Sequence, residues 1–202
     1  MTAFFGPLDP AGRVPPRQQT RVAAFLISAH GALARQFAVT LPGQLNVGWQ
    51  TELNAQLYRE AEIVSLLMRA TSWVPDLALP YLAASWEMAW LPQPITDIPD
   101  RIQGLTIDIA ALGHAVHAAI RPAALLPVEV HAQDPFAMAL RRIEFESGRL
   151  MQAQILFLKS DDLQPFRDAV NSVVESRHLL VRKLWTEMLD DIGVQRAPLD
   201  PA

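Results

Sequence analysis

The feature that most restricts this chain is a set of apolar stripes, each spaced at three and four residues and each closed by proline or glycine. Val22, Phe25, Leu26, Ala29, Leu33 and Phe37 form the first, and Leu41-Pro42-Gly43 stops it. Such spacing lines up apolar side chains on one helix face, and that face must be covered by another element. A second stripe, Leu53, Leu57, Val64, Leu67 and Thr71, predicts helix from about Trp49 to Ser72, with Glu60 on the same line. A short third helix is expected to begin near Asp76 or Leu79, where Leu79, Leu82, Trp86 and Trp90 share a face. Ile102, Leu105, Ile109, Leu112, Val116 and Ile120 mark a fourth. The fifth follows Asp134 as N-cap with Pro135 in its first turn, and aligns Leu140, Ile143, Ser147, Met151, Gln154 and Leu158. The sixth runs from about Leu163 to Ile192, with Gly193 as its stop.

Only Val128 to His131 reads as a short extended piece, so the expected fold is all-α: a helical bundle of about six main helices. Residues 1–19, with four prolines and two glycines, are expected to form a flexible N-terminal arm. Residues 20–193 make the helical domain and 194–202 a frayed tail. The three prolines of 91–100 mark a linker between two candidate halves, 20–90 and 101–193. Helix starts in the two halves are offset by about 81–85 positions, and LLMRA at 66–70 sits like RLMQA at 149–153. Both a duplication and the chance likeness of amphipathic helices fit that pattern.

The net charge is −4 and both halves are slightly acidic, so no surface for nucleic acid is expected. The absence of cysteine excludes disulfides, thiolate metal sites and cysteine nucleophiles. The N-terminus lacks the basic and apolar regions of a signal peptide, which points to the cytoplasm. The stretch WVPDLALPYLAASWEMAWLPQP is broken by Pro75, Asp76, Pro80 and Glu87, which argues against membrane insertion.

No GxSxG elbow, phosphate loop or HEXXH pattern is present, so no catalytic residue and no cofactor is assigned. The expected function is therefore non-enzymatic. It is that of an interaction, assembly or structural subunit using an apolar helical surface, with a protein partner or a homo-oligomer as counterpart. The helix carrying Trp86 and Trp90 is apolar most of the way round and is expected near the centre of the bundle. If it is not covered there, Trp86, Met88, Trp90 and Leu91 are the expected partner-binding residues, because tryptophan and methionine are enriched at interfaces. Two alternatives stand beside it. One is a helical-bundle metalloprotein: Glu175 and His178 form an EXXH pair on one helix face, and Glu60 and Glu144 fall on apolar stripes. His114 and His117 are a second i,i+3 pair. The other alternative is a binder of a small apolar ligand beside Trp86 and Trp90.

Overall fold

The computed structural model describes residues 16–43, 46–71, 89–93, 95–125 and 134–193. Among them the chain is all-α, with helices α1 (Pro16–Thr40), α2 (Val47–Thr71), α3 (Arg101–Ala119), α4 (Pro135–Leu158) and α5 (Arg167–Asp191). Three 3-10 turns, Leu41–Gly43, Pro122–Leu125 and Asp161–Phe166, lie between them. Residues 1–15 of the expected arm, the expected third helix up to residue 88, the extended piece at 128–131 and the tail from 194 lie outside the described residues, while Ala89 and Trp90 form a turn.

Local signals set the helix ends. Asp100 accepts from the backbone N–H of Ile102 and Gln103 at the start of α3, and Asp134 accepts from that of Phe136 at the start of α4. Gly193 takes φ +73 just after α5, a conformation that side-chain-bearing residues resist. α1 begins at Pro16, ahead of Thr20, because a first-turn proline lacks only an N–H that the helix leaves unbonded anyway. α5 begins at Arg167, later than Leu163, because Pro165 sits in the preceding 3-10 turn.

α1, α2, α4 and α3 close a four-helix ring: α1 packs on α2 and α3, and α4 packs on α2 and α3. α5 lies on the outside of the ring, chiefly against α3. Inside, Phe25, Leu26, Leu33, Leu53, Leu67, Ile109, Leu112, Leu140 and Leu150 form a continuous apolar core. A second cluster, including Trp49, Ile98, Ile107, Phe157 and Leu163, fills the space toward the 3-10 turn before α5. Residues 18–43 are apolar and long enough to cross a membrane, yet 56% of their most apolar stretch is buried within the bundle.

The described part of 91–100 is anchored to the helices. Arg177 of α5, only 3% exposed, grips Asp108 of α3 through Nε (2.8 Å to Oδ1) and Nη2 (2.5 Å to Oδ2). The same Nη2 donates to the Leu91 carbonyl at 3.0 Å, and the Gln93 N–H donates to Asp108 Oδ2 at 2.6 Å. A buried ion pair of this kind tolerates desolvation because every partner is also hydrogen-bonded.

Candidate metal centre

The centre of the ring is polar, and each of its four helices contributes one side chain. α1 supplies His30, α2 Glu60, α3 His117 and α4 Ser147, and none is more than 2% exposed. Glu60 reaches the interior because it lies on the buried line Leu53, Gln56, Glu60, Ile63, Leu67. His30 Nδ1 is 2.7 Å from Glu60 Oε2, and His117 Nε2 is 2.7 Å from Glu60 Oε1. Behind His117, Nδ1 is 3.1 Å from Ser147 Oγ. The two imidazole rings stand 5.5 Å apart with a 40° tilt.

The electrostatics follow from this geometry. Burial alone would raise the Glu60 carboxyl, but the facing imidazoles of His117 and His30 hold its pKa at about 2, below the ordinary 4.5. Each carboxylate oxygen therefore accepts an N–H from a different helix. His114, one turn before His117, has its pKa lowered by burial first and then by the charges of His178, His117 and Lys159.

A second polar layer lies along the bundle axis. Gln154 of α4 donates from Nε2 to Gln56 Oε1 at 3.3 Å, and Gln56 donates to Glu52 at 3.0 Å. Gln56 is one turn before Glu60 whereas Gln154 is two turns after Ser147, so α2 and α4 run antiparallel. Gly113 of α3 makes room for this amide: a Cβ there would collide with Gln154 Nε2.

One ring nitrogen from each histidine and one Glu60 oxygen all lie within 4.8 Å of one another, an arrangement that could hold a metal ion. First-row ions hold N and O donors at about 2.0–2.2 Å, so donors on opposite sides of an ion stand roughly 4.2 Å apart. An ion at this place would replace the two 2.7 Å contacts to Glu60, which would have to open to admit it. Two histidines with one carboxylate suit iron(II) or zinc and leave further coordination positions open. With an ion on His117 Nε2, the Ser147 hydroxyl oxygen would accept the Nδ1–H and fix the ring, the usual arrangement of a ligating histidine.

Of the four metal-ligating residues expected from the sequence, only Glu60 belongs to this trio. Glu144 pairs instead with Arg121 at 3.4 Å, Glu175 is exposed, and His178 is partly buried beside His114. The buried member of the EXXH stretch is Arg177, which faces Asp108 and serves the fold. His117 was visible as half of an i,i+3 pair. His30 was not, because its partner lies 30 residues away on another helix.

The expected partner-binding residues divide. Trp90 is 1% exposed and faces its own chain: its Nε1 donates to Ser28 Oγ at 3.0 Å, and its ring meets Phe25 edge-on at 5.7 Å. Leu91 is half-exposed and lines a cleft of about 450 Å³ with Ala32, Val39, Leu105 and Ile109. Trp86 and Met88 lie outside the described residues. No family model matches the chain, and no curated protein or solved structure matches it significantly.

Proposed function

We propose that this chain is a helical-bundle metal-binding protein that holds one first-row divalent ion at His30, Glu60 and His117. The observation that carries the reading is the carboxylate of Glu60, fully buried and contacted at 2.7 Å by one imidazole on each oxygen. A fully buried carboxylate with an imidazole nitrogen at each oxygen brings N and O donors together in a dry setting, where a divalent ion would be the largest local charge. Burial restricts the open coordination positions to small molecules.

Calorimetric titration of metal-stripped protein with zinc, and visible absorption with cobalt(II), test this directly. One equivalent per chain is expected, and Glu60→Gln or His117→Ala should weaken binding by more than about 100-fold, since even outer partners of a ligand cost 10–100-fold. No uptake, or equal uptake by Glu60→Gln, would leave the trio as a polar layer that fixes the helix register.

A second reading is favoured by a different observation. Met138, Phe145 and Leu156 of α4 are 54%, 59% and 71% exposed, and Tyr58 of α2 is 74% exposed. Exposed apolar groups at this spacing suit a protein partner or a second copy. Light scattering of wild type and Phe145→Glu tests it: an oligomer that dissociates in the variant supports a self-interface, and a monomer in both cases removes that one.

A further inference from the structure

The contacts of the two histidines repeat. His30 Nδ1 meets Glu60, 30 residues on, and His117 Nδ1 meets Ser147, also 30 residues on. The two histidines are 87 positions apart, and so are Glu60 and Ser147. At that register, and without gaps, Val22-Ala23-Ala24-Phe25 matches Ile109-Ala110-Ala111-Leu112. Likewise Ala29-His30-Gly31-Ala32-Leu33 matches Val116-His117-Ala118-Ala119-Ile120. Trp49, Leu53, Tyr58, Ile63 and Val64 match Phe136, Leu140, Phe145, Leu150 and Met151. α2 moved on by 87 positions coincides with α4 to within one residue. Burial repeats as well: Leu53 and Leu140 are fully covered, while Tyr58 and Phe145 are both exposed. The ring pairs α1 with α2 and α3 with α4, and α2 runs antiparallel to α4, as a two-fold axis through the central polar layer requires.

We infer that the bundle is two tandem copies of one histidine-bearing helical hairpin, and that residue 147 is the second, latent carboxylate position of its divalent-cation site. Glu60 fills one position and Ser147 holds the other with a hydroxyl. Among the described residues one His–carboxylate–His trio is complete, so one ion per chain is expected. The equivalent histidines consequently use opposite nitrogens, His30 through Nδ1 and His117 through Nε2. The symmetry stands on the fold alone; the ion stoichiometry rests on the metal-binding reading above.

The decisive experiment moves the carboxylate across the axis. Thermal unfolding of metal-free protein should show Glu60→Ser lowering Tm by roughly 10 °C, as expected for two buried imidazoles left without their shared acceptor. Adding Ser147→Glu to that variant should restore most of the loss, because it rebuilds the same trio from the other hairpin. In the zinc titration, Glu60→Ser should lose binding and the swapped double variant should regain one equivalent. A swapped variant no more stable than Glu60→Ser, or one that does not fold, overturns the equivalence. Zinc uptake by none of the folded forms, with Tm restored, overturns the metal reading and keeps the symmetry. Nitrogen-15 NMR of the zinc-loaded wild type supplies an arm without substitution: one histidine bound through each nitrogen type is expected, and two bound through the same type contradicts the arrangement.

Discussion

Arg177 shows how a single side chain can matter to a fold without marking itself in the sequence. It lies inside an EXXH stretch whose glutamate and histidine draw the eye, yet it is the residue that enters the core and meets Asp108. Arg177→Ala leaves the Asp108 carboxylate buried without its cation, and about 3–5 kcal/mol of stability should be lost in denaturant titrations. The double variant Arg177→Met with Asp108→Leu should recover much of that, since it removes both charges at once. Gly113 sits in a similar position. Gly113→Ala forces the Gln154 amide off Gln56, and a loss of about 1–3 kcal/mol is expected. Gln154→Ala in the same chain should relieve most of the effect, which a double-mutant cycle would read as coupling. At this scale the sequence is legible only in part. Glu60 shows as a charge on an apolar stripe, whereas His30 and Arg177 acquire their meaning from partners 30 and 69 residues away.

Helices are where the sequence speaks most clearly, because their signals are local. Apolar spacing, the Asp134–Pro135 start and the Gly193 stop each act within a few residues of the boundary they set. Asp134→Ala should cost about 1 kcal/mol and shift hydrogen exchange first in the opening turn of α4. The boundaries that moved, Pro16 and Arg167, are both governed by proline, whose tolerance in a first turn is easily underestimated. The stretch 91–100 reads as a linker because of its three prolines. Its carbonyl and N–H contacts to the Arg177–Asp108 pair come from elements that local spacing does not connect to it. Trp90, at the head of that stretch, should lose about 3–5 kcal/mol as Trp90→Ala, with the Ser28 hydroxyl left unpartnered.

For the whole molecule, an all-α bundle follows from the stripes, but the way the ring closes does not. Six amphipathic faces can be paired in many ways, and nothing in periodicity says that α1 must meet both α2 and α3. The repeat register would have supplied the missing constraint. Helix starts suggest offsets of 81–85, but connecting segments vary in length, so starts are poor markers. Buried side chains that meet at the axis are better ones, and they give 87.

The grip of Arg177 on Asp108 also sets an order of events during synthesis. When α3 leaves the ribosome, its Asp108 has no cation, and the one it needs is encoded 69 residues later, in the middle of the last helix. Until then α3 cannot bury that face at low cost. At an ordinary translation speed of about 5–20 residues per second, Asp108 waits several seconds for its cation.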